Sequence, residues 1–308
     1  MRVVFLGSGS FAIPSLEALL AAGHDVAAVV TQPDREKGRG RELSPPPLKP
    51  AAAARGLRVL QPRRVREPES VAALEALVPE VQVVVAYGQI LPRRVIDIAP
   101  RGTVNVHASL LPRYRGAAPV QWAIVNGEAE TGVTTMLIDE GLDSGPLLLA
   151  EATPIGAEET AEVLESRLAA LGGELLVRTL KGLEEGAIVP RPQDPARASL
   201  APLIKKEDGL MDWRLPAPAL ARRVLGFHAW PGAHTRLRGR GLRVLRAQVE
   251  AASGTPGTLL RAGRDGLVVA CGEGTALRLV EVQPESRHPM PAAAFAAGAR
   301  LKPGERLG

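Results

Sequence analysis

The sequence is poor in cysteine, which limits the roles that thiol chemistry can have. Its 308 residues include a single cysteine, Cys271. One cysteine cannot form an internal disulfide or supply a structural zinc site of the usual cysteine-rich kind. We therefore predict an isolated buried thiol and a cytoplasmic protein, because structural disulfides belong to oxidising compartments.

The sequence also lacks a long apolar run. No segment approaches the roughly 18 to 20 apolar residues that a membrane-spanning helix needs, so no membrane role is expected. The first 23 residues place one arginine before an apolar stretch, as a signal peptide does, but Gly7, Gly9 and Pro14 interrupt it. We predict that residues 3–6 form the first strand instead.

An acidic residue is absent from the position where a dinucleotide-binding site requires one. Residues 7–12 read GSGSFA, a G-x-G-x-x-A motif between a predicted strand and a predicted helix. The second strand, however, continues into Thr31, Gln32 and Pro33 and lacks a carboxylate for the ribose hydroxyls. This disfavours a dehydrogenase, and the glycines are expected to serve a tight turn or the approach of another ligand.

What the sequence does contain is a regular alternation of strands and helices. Short strands such as VVFLG, DVAAVV and VQVVVAYG alternate with helical stretches rich in alanine and leucine. This pattern predicts an α/β fold with a doubly wound, Rossmann-like sheet over residues 1–188. A proline-rich polar segment then predicts a linker over residues 189–204. Short apolar runs between glycines predict a smaller β-barrel of the OB type over residues 205–308.

Positive charge is concentrated in the last third of the chain. Residues 205–308 contain 17 basic and 9 acidic residues, whereas residues 1–204 contain 21 and 24. A basic module beside a near-neutral one indicates that the former holds a polyanion and the latter does the chemistry. The alternative, on charge alone, is the solvated surface of an arginine-rich protein. The arginines expected to contact phosphates are Arg236, Arg238 and Arg240.

The predicted strand TVNVH carries polar side chains where a buried parallel strand should be aliphatic. Asn105 and His107 are two positions apart on this strand, and side chains at that spacing lie on the same face. A buried polar group without a hydrogen-bond partner costs about 1–3 kcal/mol of stability. We therefore expect the side chains of this pair either to be hydrogen-bonded within the protein or to act on a ligand. Asp143 follows in the loop GLDSG, after another predicted strand. The three residues predict a polar cluster, either catalytic or a structural hydrogen-bond network.

The stretch NVHASLLPRYRGAAPVQWAI, followed by GLDSG, closely resembles the folate-dependent formyltransferases. The resemblance includes VVFLGSGSFA, the loop TQPDREKGRGRELSPPPLK and the segment FHAWPGA, and so covers most of the chain. It is strongest to the members that act on tRNA. It implies transfer of a formyl group from 10-formyltetrahydrofolate to the α-amino group of methionine on initiator tRNA, in translation initiation. No metal is implied, and we expect a monomer.

The resemblance implies that Asn105, His107 and Asp143 are catalytic. The amide of Asn105 and the ring of His107 would donate N–H groups to the oxyanion that forms on the formyl oxygen. Asp143 would orient the imidazole and favour its charged form, which could also return a proton to the leaving folate nitrogen. The residues implied in folate binding are Ser109, Leu110, Leu111, Pro112, Tyr87, Gly88 and Leu91.

The basic loop from residue 35 to residue 49 is expected to hold the acceptor end of the tRNA. It contains Arg35, Lys37, Arg39 and Arg41, with glycines that let it conform and prolines that set its return path. Seen alone, it is equally well an ordinary solvated loop. We expect Arg39 to make the main contact, because a guanidinium can bond a phosphate twice or stack on an unpaired base.

Two other classes of function stay open. An enzyme with the same chemistry could formylate a small amine, such as a phosphoribosyl glycinamide or an amino sugar, or give the formyl group to water. A non-catalytic nucleotide- or RNA-binding module is the second class. A small-amine enzyme has no use for a basic β-rich appendage, and a binding module has no use for the three polar residues together. Both arguments favour the tRNA enzyme.

Overall fold

The computed structural model describes residues 1–37 and 42–308, and the chain divides into two compact units. Unit 1 consists of Met1–Pro119, Glu130–Pro154 and Glu165–Ala201. Unit 2 consists of Val120–Ala129, Ile155–Leu164 and Pro202–Gly308. No helix within the described ranges has both the length and the apolar character needed to cross a membrane.

Strands and helices alternate through the first two thirds of the chain. The strands are β1 (Arg2–Gly7), β2 (Asp25–Val30), β3 (Arg35–Lys37), β4 (Glu42–Ser44), β5 (Val59–Leu60), β6 (Val81–Val85), β7 (Thr103–His107), β8 (Arg115–Gly116), β9 (Glu130–Leu137), β10 (Leu147–Pro154) and β11 (Leu200–Ala201). The helices are α1 (Ile13–Ala21), α2 (Leu48–Ala53), α3 (Pro68–Glu75), α4 (Arg93–Ile96), α5 (Pro119–Asn126) and α6 (Ala161–Glu184).

A seven-stranded mixed sheet forms the centre of unit 1, in the order β10-β9-β7-β6-β1-β2-β5. The five strands from β7 to β5 are parallel, whereas β9 pairs antiparallel with both β7 and β10. Apart from β7, the parallel strands are mostly aliphatic because both of their faces are covered, and residues 3–6 of β1 are wholly buried. The predicted α/β class with a doubly wound sheet is confirmed.

Gly7 makes the tight turn that leads from β1 into the first helix. A Cβ atom on Gly7 would lie 2.9 Å from both the Cβ of Ala12 and the carbonyl oxygen of Val85. A 3₁₀ turn over Ser10–Ala12 then leads directly into α1. The G-x-G-x-x-A motif therefore serves close packing of strand and helix, one of the two roles expected for it.

An antiparallel sheet forms the centre of unit 2. Its strands are β12 (His234–Leu237), β13 (Arg240–Glu250), β14 (Leu259–Gly263), β15 (Gly266–Ala270), β16 (Ala276–Pro284) and β17 (Met290–Pro291), with helices α7 (Ala217–Gly226) and α8 (Ala292–Ala299). The order is β12-β13-β16-β15-β14, with β17 on β16. Leu307 bridges to Leu237 on one edge of the sheet, and Arg306 bridges to Thr258 beside the other edge. This pairing covers both edges, as the predicted barrel requires.

Cys271 lies in the apolar core of unit 2, where it is 1% exposed. Burial raises the pKa of its thiol to about 12, so thiolate is scarce near neutral pH. We expect the folded protein to react with an aromatic disulfide reagent at pH 8 at least about 100-fold more slowly than the chain in guanidinium chloride. The absorbance of the released thiolate measures both rates. Equal rates would place the thiol at the surface.

Candidate active site

Strand β7 positions two polar side chains at the carboxyl end of the parallel strands. Asn105 and His107 lie on one face of β7, opposite Met136 and Thr134 of β9. His107 is 6% exposed and Asn105 is half-buried. No hydrogen-bond partner of the Asn105 amide is found within residues 1–37 and 42–308. The amide is therefore able to donate to a ligand.

The His107 ring faces an oxygen atom at each of its two nitrogens. Its Nε2 lies 2.9 Å from the carbonyl oxygen of Tyr114, and its Nδ1 lies 3.7 Å from Oδ2 of Asp143. A carbonyl only accepts, so we assign the hydrogen to Nε2. The distance to Asp143 fits an ion pair but is too long for a direct hydrogen bond. The Tyr114 carbonyl thus orients the ring, a role that the sequence assigned to Asp143.

Tyr114 is itself fixed by a residue from far along the chain. Its φ of 60° lies in the left-handed region, and its N–H donates to Oγ of Ser199 at 2.9 Å. Few non-glycine residues adopt this conformation without support from their surroundings. Ser199 belongs to the segment predicted as a linker, so part of that segment supports the site.

Asp143 stands in the loop between β9 and β10, with 19% of its side chain exposed. Its Oδ2 accepts the N–H of Gly116 at 2.8 Å, in addition to facing His107. Of the three residues expected to cluster, His107 and Asp143 lie 3.7 Å apart, and Asn105 lies on the same face of β7 as His107. Across the described residues, no group of three or more histidine, cysteine or acidic side chains could hold a metal ion.

The segment predicted as a linker over residues 189–204 packs against unit 1 up to Ala201. Arg191 and Leu147 exchange two backbone hydrogen bonds of 2.7 and 2.9 Å. Gln193 bonds the loop that carries Asp143, and β11 pairs in parallel with β8. The segment over residues 189–204 is predicted as a linker because it is proline-rich and polar, a composition that irregular packed segments also have. The two-residue strand β11 is too short to show a periodic pattern.

The predicted folate-binding segment over residues 109–112 is mostly buried. The Ser109 hydroxyl donates to the carbonyl of Arg113, and the Ser109 carbonyl accepts from the Thr134 hydroxyl, both at 2.6 Å. Leu111 is also buried, whereas Leu110 is partly exposed. The Ser109 side chain therefore holds the turn, and Leu110 supplies the segment's accessible apolar surface.

The second predicted folate-binding group follows β6. Tyr87 and Leu91 are 2% and 9% exposed and pack in a core of unit 1, while Gly88 is exposed. The Tyr87 carbonyl accepts hydrogen bonds from Ser8 and Gln32 at 3.1 and 3.2 Å. Next to them Ile90 is 92% exposed, an apolar surface that the sequence did not single out.

The predicted tRNA-binding loop begins and ends in ordered structure. Arg39 and Arg41 lie outside the described residues. The backbones of Arg35 and Lys37 belong to β3, which pairs antiparallel with β4. The Arg35 guanidinium donates to the Gln32 side chain at 3.0 Å. Asp34 and Lys49 join the two ends of the loop, because the Asp34 carboxylate accepts a hydrogen bond from Lys49 at 2.8 Å. The same carboxylate accepts from the Gln61 side chain at 2.7 Å, and both hydrogen bonds lower the pKa of Asp34.

The three arginines predicted to contact phosphates differ from one another. Arg236 and Arg240 are exposed. Arg238 donates two hydrogen bonds of 2.7 Å to the Glu305 carboxylate, and this contact lowers the pKa of Glu305. Arg236 also lines a groove of about 900 Å³ in unit 2, together with Lys206. Arg236 is therefore better placed than Arg238 to meet a phosphate.

Two family profiles identify the class of protein to which the chain belongs. The chain belongs to the formyl transferase family, whose profile matches residues 1–180, and the profile of the formyl transferase C-terminal domain matches residues 203–300. The methionyl-tRNA formyltransferase of Solibacter usitatus (strain Ellin6076) is 56% identical, over 100% of this chain and 99% of the relative. That of Citrifermentans bemidjiense is 52% identical, over 100% and 96%. The predicted family is confirmed.

Solved structures agree with the fold. HypX from Aquifex aeolicus, solved with tetrahydrofolic acid, has a TM-score of 0.65 and 20% identity over 96% of this chain; the chain spans 47% of HypX. An N-formyltransferase from Helicobacter canadensis, solved with folinic acid and dTDP-3-aminofucose, has a TM-score of 0.68 and 16% identity, over 92% of this chain and 99% of that one. At these identities the similarity concerns the fold alone.

Proposed function

We propose that the chain transfers the formyl group of 10-formyltetrahydrofolate to the α-amino group of methionine esterified to initiator tRNA. Relatives called methionyl-tRNA formyltransferase match the whole chain at 48–56% identity, which confirms the predicted activity. This full-length match is the observation that carries the proposal. The folate donor is supported by two neighbours of the same fold that were solved with folate compounds.

The reaction needs donors for a developing negative charge. A neutral amine attacks the formyl carbon, a C–N bond forms, and the carbonyl π electrons move to the oxygen. The tetrahedral intermediate then collapses, the bond from carbon to folate N10 breaks, the amine loses a proton and N10 gains one. Preorganised N–H groups aimed at the oxygen lower the barrier of such a step.

Asn105 and His107 are the donors in this proposal. The Asn105 amide is half-buried at the end of β7, next along the same face from the His107 ring. The Nε2–H of His107 is bonded to the Tyr114 carbonyl, so this proposal assigns donation to the reacting oxygen to Nδ1, which lies 3.7 Å from Asp143. A ring with a hydrogen on both nitrogens donates a hydrogen bond from each of them, and its positive charge attracts the negative charge of the oxyanion.

Asp143 acts through charge rather than through a direct hydrogen bond. Its carboxylate is 3.7 Å from the His107 ring, a distance at which a negative charge attracts a positively charged ring without a direct hydrogen bond. The Gly116 N–H holds the same oxygen and so limits its movement toward the ring. In this proposal Asp143 thus places negative charge beside His107 without holding a ring nitrogen in a direct hydrogen bond.

The tRNA is proposed to be held by two basic regions with different tasks. In unit 2, Arg236 and Arg240 meet phosphates, a contact that does not depend on sequence. In unit 1, the loop that contains Arg39 positions the acceptor end. The ion pair between Asp34 and Lys49 joins the two ends of this loop. A monomer suffices for this arrangement.

The test is a comparison of acceptors. Purified protein is incubated with 10-formyltetrahydrofolate and methionyl initiator tRNA, glycinamide ribonucleotide or no acceptor. We expect formylmethionyl-tRNA to form, no formylated glycinamide ribonucleotide, and formate at less than about a hundredth of the tRNA rate. Formate released at a comparable rate without an acceptor would identify a hydrolase, and formylation of the ribonucleotide would identify a small-amine enzyme.

A further inference from the structure

The Gln193 side chain connects two loops of unit 1. Its Nε2 donates to the carbonyl oxygens of Asp143 and Gly145, both at 2.8 Å. Its Oε1 accepts from the Arg115 guanidinium, from Nη2 at 2.6 Å and from Nε at 3.1 Å. The amide thus uses its donor side on the loop that carries Asp143 and its acceptor side on β8.

The loop that carries Asp143 depends on such external bonds. Asp143 has a φ of 47°, a left-handed conformation that is unfavourable for a non-glycine residue. At Gly145 a side chain would collide with the carbonyl oxygen of Leu137. Within the loop, the Asp139 carboxylate accepts from the Ser144 hydroxyl at 2.9 Å. These contacts shape the loop, while the bonds from Gln193 tie it to the rest of unit 1.

Strand β8 holds Asp143 by two routes. Gly116 donates its N–H directly to the Asp143 carboxylate, and Arg115 reaches the Asp143 carbonyl through Gln193. The carboxylate and the main chain of Asp143 are therefore both held by hydrogen bonds that lead to the two-residue strand β8. Such double support is expected where the distance to a neighbouring group matters, here the 3.7 Å to His107.

We propose that Gln193 is a positioning residue that sets the distance between Asp143 and His107, with Arg115 as its anchor. The inference rests on the proposed function, because it takes His107 as the donor to the reacting oxygen. Loss of Gln193 lets the loop relax and the carboxylate move away from the ring. A displacement of about 1 Å in such a site can cost up to about 100-fold in rate. Binding of folate and of tRNA does not depend on this distance.

The main test is a double-mutant cycle of Gln193→Ala and Asp143→Asn. We expect Gln193→Ala to lower kcat for tRNA formylation at least about 10-fold, with KM for both substrates within about twofold of wild type. In the Asp143→Asn background the same change should alter kcat by less than about twofold, because the carboxylate it positions is gone. A general structural role would lower kcat equally in both backgrounds.

A second variant and a matched control complete the test. Gln193→Glu keeps an acceptor for Arg115 but turns an oxygen toward the carbonyls of Asp143 and Gly145, so we expect a loss at least as large as with alanine. The control is Gln248→Ala in unit 2, where the amide also accepts from an arginine, Arg278, at 2.8 Å. It should keep wild-type kinetics.

The outcomes separate this proposal from the proposed function. Wild-type protein that does not formylate methionyl-tRNA contradicts the proposed function. If the wild type is active but Gln193→Ala leaves kcat unchanged, only the positioning role of Gln193 is overturned. The same holds if Gln193→Ala lowers kcat by equal factors in wild-type and Asp143→Asn protein. Melting curves establish that each variant is folded, and if Gln193→Ala does not fold, the cycle is run with Gln193→Glu and judged by the same criteria.

Discussion

Replacing His107 with alanine is expected to lower kcat by at least about 100-fold while tRNA affinity changes little. Removal of one preorganised donor to an oxyanion costs roughly 3 kcal/mol of transition-state stabilisation. His107 is 6% exposed and is oriented by the Tyr114 carbonyl, so no mobile side chain is expected to replace it. Single-turnover formylation with saturating enzyme measures the chemical step, and filter binding measures the affinity.

The neighbouring variants test the separate roles. Asn105→Ala should lower kcat by about the same factor as His107→Ala, because it removes the other N–H donor to the oxyanion. Asp143→Asn should lower kcat by a similar factor, since an amide places no negative charge beside the His107 ring. His288→Ala is the matched control, because His288 is exposed in unit 2 and should give wild-type rates. Near-normal turnover in any of the three site variants removes that residue from the proposed mechanism.

The positions of the polar residues in the candidate site could be predicted from the sequence because the signal of each residue is local. Asn105 and His107 interrupt an aliphatic strand at a spacing of two, and Asp143 stands between glycines after the next strand but one. β7 and β9 are neighbours, but β9 runs antiparallel to β7 and ends beside Val104, so the loop after β9 has to return along the sheet to bring Asp143 to 3.7 Å from His107. The family resemblance then assigned roles that spacing alone left open.

The supports of the cluster could not be predicted. The Tyr114 carbonyl is a backbone atom and leaves no mark in the sequence. Ser199 and Gln193 act on residues that are 85 and 50 positions away, from a segment whose composition is that of a linker. The pairing of Arg238 with Glu305 spans 67 positions in the same way. Contacts between distant polar residues depend on the assembled fold rather than on local patterns.

One strand of the large sheet was also missed. β10, Leu147–Pro154, reads LLLAEATP and contains one acidic residue, two alanines and a proline, all of which are uncommon in strands. Its residues alternate between more and less exposed positions, as expected at the edge of a sheet where one side faces water. By contrast, β1 and β6 are buried on both faces and are visible in the sequence as mostly apolar runs, VVFL in β1 and VQVVV in β6.

Arg39→Ala is expected to reduce kcat/KM for initiator methionyl-tRNA by about 100-fold, with little change in the salt dependence of binding. A contact that positions the acceptor end acts mainly in the transition state, where about 1 Å of misplacement can cost that factor. Arg39 lies outside the described residues, but the loop is joined at its ends by the ion pair of Asp34 and Lys49. Steady-state kinetics on initiator and elongator methionyl-tRNA across a salt series measure the effect.

The matched control for Arg39 is Arg236→Ala, since Arg236 is an exposed arginine in the basic unit and Arg238 is already paired with Glu305. Loss of one phosphate contact should weaken binding of all tRNAs alike and flatten the slope of log K against log salt by about one unit or less. Arg39→Ala should instead narrow the preference for initiator over elongator methionyl-tRNA. If the Arg39 variant loses affinity uniformly and keeps its selectivity, the loop is only another phosphate contact, because a positioning contact must discriminate between acceptor ends.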